Sequence, residues 1–262
     1  MFLFGDMTEE DASPAEMPEG YAPRPYQHAA DDAVWGALQT TDKCGLYMAT
    51  GCGKTEIAAL LMQRDWQGGT LFITPRIDLV QQTAERLKLR GVLCGIEMAQ
   101  NKSDEHHTVA CYQSLAKRSR DGRRRYEKFL KQVKFVVVDE SHSYYSEQCL
   151  KMLEDFRAYG AVVCGMTASP PISKKHVLAD HYGEAAYVYS YLQAVEDGYL
   201  VPVDLNLCVL DGLDMSGFKA SFGNDFNQAR VAMLFEMKEN VAAIGQMVET
   251  YWKGMPSVVF AT

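Results

Sequence analysis

Short uninterrupted apolar runs alternate with stretches whose apolar residues recur every three to four positions, which predicts strands alternating with helices from about residue 25 onward. From Pro25 the residues Tyr26, Ala29, Ala30, Ala33, Val34 and Ala37 share one helical face. Gly45-Leu46-Tyr47-Met48 reads as a buried strand, followed by a glycine turn and a helix through Glu56-Ile57-Ala58-Ala59-Leu60-Leu61. After a break at Gly68-Gly69, residues 70–74 form a second strand. Pro75 then opens a helix to about Leu89, with Leu79, Val80, Ala84 and Leu87 on its buried stripe. Strands are expected at 92–96 and 107–111, and a helix over the basic segment 123–132. Phe135-Val136-Val137-Val138, rich in β-branched residues and free of polar alternation, marks a strand buried on both faces; residues 161–166 repeat that texture after a helix over 146–157. Such an order predicts an α/β fold, a doubly wound parallel sheet with helices on both faces.

Beyond Pro170-Pro171 the texture changes. A short aromatic strand, a helix ending at Gly198 and an apolar strand at 203–210 complete the domain expected over 21–210. A polar stretch over 211–226 and a long helix over 228–253 form a helical linker, 211–256, and 257–262 reads as the first strand of a further domain. Residues 1–20, acidic and carrying Pro14, Pro18 and Gly20, read as a mobile tail.

Composition narrows the class. The 262 residues are 47% hydrophobic and 23% charged, ordinary for a globular protein. No apolar stretch is long enough to span a membrane and no basic-apolar leader is present, so a cytoplasmic protein is expected, or a nucleoid-associated one in a bacterium or phage. The seven cysteines never fall in C-x-x-C spacing, which points to buried thiols rather than a disulfide framework or zinc site. Net charge is −8, yet residues 117–134 carry Lys117, Arg118, Arg120, Arg123, Arg124, Arg125, Lys128, Lys131 and Lys134 against Asp121 and Glu127. That run is either a local basic patch or a solvated helix face. His106-His107 in a polar loop carries no metal signature.

The chemistry is concentrated in Thr50-Gly51-Cys52-Gly53-Lys54-Thr55, between a strand and a helix. Glycines at 51 and 53 let successive N–H groups turn toward one anion at a helix N-terminus, forming a phosphate cradle. Lys54 would reach the β- and γ-phosphates, and Thr55 would hold Mg²⁺. Met48 stands where the strict P-loop pattern has its first glycine. The competing account is a glycine turn at a strand–helix junction. Asp139-Glu140 at the tip of the strand 135–138 favours the nucleotide reading, because a hard cation takes carboxylate oxygens and a second carboxylate can polarise water. A Ser-His-Asp hydrolase built from Asp139, Ser141 and His142 is excluded by their crowding on one turn and the lack of a Gly-x-Ser-x-Gly elbow.

In order along the chain, these residues resemble the first motor domain of a superfamily 2 DExH-type helicase. Arg24-Pro25-Tyr26-Gln27 resembles the adenine-recognising Q motif, residues 49–55 motif I, and Thr74-Pro75-Arg76 through Gln82 motif Ia. Cys111-Tyr112-Gln113-Ser114-Leu115 is similar to a T-x-Q-S-L stretch, with Cys111 where threonine is usual. Asp139 to His142 matches motif II, and Thr167-Ala168-Ser169-Pro170 resembles motif III, with Ser169 in place of the usual threonine. Tyr191 to Pro202 places the likeness in the branch of restriction-enzyme motor subunits and the RadD, UvsW and XPB type of DNA repair helicases.

The resemblance implies a RecA-like P-loop NTPase domain over 21–210 that binds ATP and Mg²⁺ and works on nucleic acid, DNA more than RNA, in repair, recombination or restriction. It assigns Arg24, Tyr26 and Gln27 to the nucleotide, with Gln27 pairing the adenine edge and Met48 tolerated. Thr55 and Asp139 would hold the metal, with Lys54, Asp139, Glu140 and His142 catalytic. Thr167, Ala168 and Ser169 would couple the two activities. Pro75, Arg76, Gln82, Gln113 and Ser114 would contact the strand. A second RecA-like domain carrying an arginine finger is expected beyond Thr262, so the chain alone should bind nucleotide weakly, hydrolyse it slowly and not unwind. The alternatives are a nucleotide-gated binding module that never unwinds, an RNA helicase, and a P-loop ATPase without nucleic acid.

Overall fold

The computed structural model describes residues 22–98, 101, 103, 105–119, 122–144, 146–170 and 178–203, with isolated helical positions at 242, 245, 246, 249 and 250. The chain divides into two compact units, Met1–Pro202 and Val203–Thr262. The expected tail 1–20, the strand beyond residue 203, the polar stretch 211–226 and the strand 257–261 lie outside the described residues. Within the expected helix 228–253, the five described positions are helical.

The first unit carries a seven-stranded sheet in the order β3-β4-β2-β5-β6-β1-β7, every neighbouring pair parallel. The strands are β1 (Lys43–Met48), β2 (Gly69–Thr74), β3 (Gly95–Glu97), β4 (His107–Cys111), β5 (Val133–Val138), β6 (Val162–Thr167) and β7 (Ala185–Tyr189). The helices are α1 (Pro25–Leu38), α2 (Lys54–Met62), α3 (Ile77–Leu89), α4 (Tyr112–Ala116), α5 (Glu147–Ala158), α6 (Leu178–Tyr182) and α7 (Tyr191–Glu196). The central strands are apolar throughout because they have no solvent face: β2 is buried at all six positions. Alternate residues serve opposite cores. Phe72, Phe135 and Val137 join the layer of α1, α2 and α3, whereas Leu71, Ile73, Val136 and Val138 join the layer of α5 and α6. This is a RecA-like doubly wound sheet.

Three boundaries depart from the periodicity. The helix expected from Pro75 begins at Ile77, because Arg76 is extended (φ −132°, ψ 149°) and the Thr74 hydroxyl donates to its carbonyl. The strand expected at 92–96 begins only at Gly95. Val92 closes α3 instead: its N–H bonds the Leu87 carbonyl and that of Gly91 (φ +79°) bonds Lys88, which ends the helix in a left-handed glycine cap. The basic segment is a 3₁₀ turn, Arg125–Phe129, rather than a helix over 123–132. Tyr126 and Phe129 stand three apart and are both buried, which suits three residues per turn.

The strand order brings the candidate chemistry together. The carboxyl ends of β5, β6 and β1, three consecutive neighbours, carry Asp139–His142, Thr167–Ser169 and the glycine turn; β2 and β4, next along, carry Pro75–Arg76 and Gln113–Ser114. Ligands of open α/β sheets gather along this edge.

Candidate nucleotide site

β1 ends in buried Met48, and the Ala49 N–H bonds the Tyr189 carbonyl on edge strand β7 at 3.1 Å, which fixes where the turn begins. Gly51 (φ +86°) and Gly53 (φ +80°) then take left-handed conformations that curl the backbone before α2 starts at Lys54. The space here is closed to side chains: a Cβ on Gly53 would lie 2.5 Å from Gln27 Nε2. Between the glycines, the Cys52 carbonyl accepts from Tyr26 Oη (3.0 Å) and Gln27 Nε2 (3.1 Å). Gln27 Oε1 accepts from the Arg24 N–H at 2.8 Å, so the amide caps α1 and clamps the turn at once. Gln27 is only 1% exposed. The Cys52 thiol is buried, which pushes its pKa up while the charges of Arg24 and Lys54 pull it down.

Asp139 extends the β2–β5 ladder, its N–H bonding the Ile73 carbonyl at 3.0 Å. Glu140 turns left-handed (φ +49°, ψ 48°), a conformation that costs a non-glycine residue about 1–2 kcal/mol and is held here by a 3₁₀ turn at Ser141–Ser143. That turn sends His142 toward β6. Its Nδ1 lies 2.7 Å from Thr167 Oγ1 and 3.3 Å from Glu140 Oε2. The Thr167 contact is a hydrogen bond whose donor depends on the imidazole tautomer, and the Glu140 side chain lies beside the same nitrogen. Thr167 Oγ1 also accepts the Ser169 N–H at 3.0 Å. One hydroxyl therefore links the ends of β5 and β6.

Burial raises the pKa of Asp139, and the neighbouring charge of Glu140 raises it further; Lys54, the Glu140 N–H and His142 pull it down. The folded chain holds that proton more tightly than the unfolded one. The stability Asp139 contributes is complete below the ordinary carboxylate value and is lost as pH rises through the elevated folded value, leaving a cost at neutral pH. Asp139→Asn is thus expected to raise the melting temperature of the ligand-free chain at pH 8, with the gap closing toward pH 4, and to remove metal-dependent nucleotide hydrolysis. Scanning calorimetry at both pH values checks the first part; equal melting points at pH 8 would refute it. The same repulsion suits a divalent cation, and Asp139 and Thr55 carry the kind of oxygen donors such an ion takes.

Toward β2 and β4, Gln113 Nε2 donates to the Pro75 carbonyl at 2.7 Å, while Gln113 Oε1 accepts from the Cys111 thiol. Arg76 is exposed and bonds Asp78 through both Nε (3.1 Å) and Nη2 (2.9 Å). Gln82 is exposed on α3, and Ala168 is half-buried between Thr167 and exposed Ser169. Ser114 is fully buried and offers no surface to a strand in this conformation.

Sequence reasoning missed a set of contacts behind the turn. Tyr189 stacks on Tyr26 (centroids 4.3 Å, 13°), Tyr199 meets Tyr26 edge-on at 4.8 Å, and the Arg24 guanidinium lies over Tyr199 at 5.0 Å. Tyr189 Oη donates to Asp197 at 2.6 Å. The signal was the aromatic density of Tyr187, Tyr189, Tyr191 and Tyr199 beside a helix ending in glycine.

The type I restriction enzyme EcoAI endonuclease subunit of Escherichia coli is 27% identical over 218 residues, 78% of this chain and 26% of that protein. The chain thus spans about a quarter of the length of the first curated relatives it matches. Among solved structures, the UvsW helicase of bacteriophage T4 superposes with a TM-score of 0.51 at 19% identity, covering 63% of this chain and 60% of UvsW. A nuclease-deletion mutant of the type ISP restriction-modification enzyme LlaGI, in complex with a DNA substrate mimic, gives 0.52 at 17%, covering 68% and 21%. Residues 20–172 match the family model described as type III restriction enzyme, res subunit, and the chain belongs to that family.

Proposed function

We propose that this chain is the first motor domain of a superfamily 2 DNA helicase or translocase, coupling ATP hydrolysis to movement on DNA. The observation that carries the proposal is the path along the ends of β5 and β6 beside the glycine cradle: Glu140 lies 3.3 Å from His142, and hydrogen bonds run from His142 to Thr167 and from Ser169 to Thr167. Such a path has a use where the state of a hydrolysed phosphate must be felt by neighbouring strands.

In the proposed mechanism the N–H groups around Gly51 and Gly53 and the ammonium of Lys54 hold the phosphates. Thr55 and Asp139 would hold Mg²⁺, which supplies neutralisation of developing charge on the phosphoryl oxygens. Glu140 orients the attacking water, and His142 relays the loss of the γ-phosphate to Thr167 and onward through Ala168 to Ser169. Gln27, buried and held on Cys52 and Arg24 in this conformation, would read the adenine edge with its remaining N–H and lone pair once that cover moves aside; Arg24 and Tyr26 form the wall beside it. Pro75, Arg76, Gln82 and Gln113 line the edge where a strand would be held by its backbone, with buried Ser114 supporting that edge from below. This reading pairs the domain with a second RecA-like domain, which would supply an arginine finger.

The test measures ATP turnover and nucleic-acid binding by the chain with single-stranded DNA, duplex DNA and RNA at several salt concentrations. Expected are slow hydrolysis, since a missing arginine finger costs about three to five powers of ten in rate, and DNA affinity that falls linearly on a log–log salt plot. Absence of salt-sensitive DNA binding would overturn the reading, and robust unwinding by this chain alone would overturn its division between two domains.

A further inference from the structure

The basic run at 117–134 takes no part in the motifs, yet the fold gives it a defined shape. Lys117 to Arg125 double back as a hairpin: Arg118 and Arg124 pair across it, Ser119 N–H bonds Arg123 O (2.7 Å), and Arg125 N–H bonds Lys117 O (3.0 Å). Its reversal closes through Gly122 N–H to Ser119 O (3.0 Å), with Gly122 left-handed at φ +83° and Arg118 Nη1 donating to the Gly122 carbonyl at 2.6 Å. Below the hairpin lies fully buried Glu97 at the end of edge strand β3, ion-paired to Arg125 and, at 2.9 Å, to Lys128. Arg125 and Lys128 also donate to the carbonyls of Asn101 (3.0 Å) and Ser103 (2.7 Å). These bonds staple the 3₁₀ turn to the sheet edge, so the basic segment is a fixed wall rather than a solvated helix face.

Between hairpin, turn and the end of α5 is a cavity of about 450 Å³. Its lining carries Arg123, Arg124, Arg125, Lys128 and Lys131 against Glu97 and Glu127, a surplus of positive charge in a chain whose net charge is −8. Glu97 is enclosed by its own two cations, and the rest of the lining carries Arg123, Arg124 and Lys131 against one carboxylate, Glu127. A concave surface with a surplus of one sign of charge attracts a counter-ion of the other sign. Guanidinium forks suit phosphate oxygens. The charges extend from Arg118 to Lys131, across two elements, which is more than one small anion would use and suits a repeating one. Gln113 lies in α4, four residues before the hairpin begins at Lys117, which is about 6 Å along a helix axis, a little under two base-pair rises along a strand.

We infer that this groove is a second nucleic-acid site, outside the helicase motifs, that takes the phosphodiester backbone of DNA leaving the strand-binding edge. The inference rests on the function proposed above. It is tested by removing two rim charges together, Arg123→Gln with Lys131→Gln, both exposed, and by Arg118→Gln separately. The control removes the same charge from the opposite layer, Arg86→Gln with Lys88→Gln on α3. Binding of duplex and single-stranded DNA is titrated against salt by fluorescence anisotropy, with nucleotide affinity and melting temperature measured in parallel. Expected for the rim pair is a salt slope shallower by about two, roughly one for each phosphate no longer neutralised, with nucleotide affinity and melting temperature unchanged and the control at the parent slope. A rim pair that keeps the parent slope, or a control that loses as much, overturns the groove while leaving the motor reading intact. A parent chain that shows no salt-dependent DNA binding overturns both.

Discussion

Glu140→Gln is expected to slow ATP hydrolysis by about two to four powers of ten, the range for removing a positioned general base, while nucleotide affinity stays within about threefold of the parent. The substitution keeps size and hydrogen-bonding reach and removes only the charge that orients and polarises water. It tolerates the left-handed backbone at 140 as well as glutamate does, so the 3₁₀ turn and the His142–Thr167 bond persist. Losing the negative charge beside Asp139 also removes one cause of its elevated pKa, so metal affinity is not expected to suffer through that route. Single-turnover hydrolysis together with calorimetric nucleotide binding separates these effects. A variant that hydrolyses at the parent rate would remove Glu140 from the proposed mechanism.

Gly53→Ala is expected to weaken nucleotide binding by about fivefold to thirtyfold, because the free turn would relax out of its left-handed conformation and restoring that conformation around the phosphate costs about 1–2 kcal/mol, 1.4 kcal/mol being a factor of ten. The new Cβ would also press on Gln27 Nε2, whose amide is held by Arg24 and Cys52 and has little freedom to move. Gly91 offers a matched comparison. It has the same backbone sign (φ +79°) with nothing within 4 Å of an added Cβ, and it ends α3 rather than the cradle. Gly91→Ala should therefore lower the melting temperature by an amount set by strain alone and leave nucleotide affinity unchanged. Equal nucleotide affinities for Gly53→Ala and Gly91→Ala would show that the turn at 51–53 does not cradle phosphate.

The parts of the fold that were legible in the sequence are those where one residue type meets a local requirement. Gly51 and Gly53 are needed where φ is positive, and Phe135 to Val138 are continuously apolar because both faces of β5 are covered. The strand-to-turn positions of Lys54, Asp139 and Thr167 follow directly. What was not legible depends on partners far away in the chain. That Gln27 spends its amide on the Cys52 carbonyl, or that Tyr189 stacks on Tyr26, is decided by the placement of β7 beside β1, and no local period encodes that pairing. The likeness of its segment to a strand-facing stretch assigns Ser114 to the strand, yet in α4 it is fully buried. The basic run looked helical because Tyr126, Phe129 and Leu130 satisfy a helical period as well as a 3₁₀ one. Buried Glu97, about thirty residues upstream, gave no sign of drawing Arg125 and Lys128 inward.

The packing behind the cradle has a mechanical corollary. Leu200 lies where a Cβ on Gly51 would be 3.1 Å from its Cδ2, and two residues later, at Pro202, the first unit ends. The Tyr199 and Leu200 N–H groups are anchored to the Ala194 carbonyl at 2.8 and 3.0 Å, so this segment is braced rather than loose. The glycine turn proposed to hold phosphate and the segment by which the chain leaves the unit thus lie against each other. Any widening at Gly51 is a push on Leu200, delivered to a stiff crank at the point of departure.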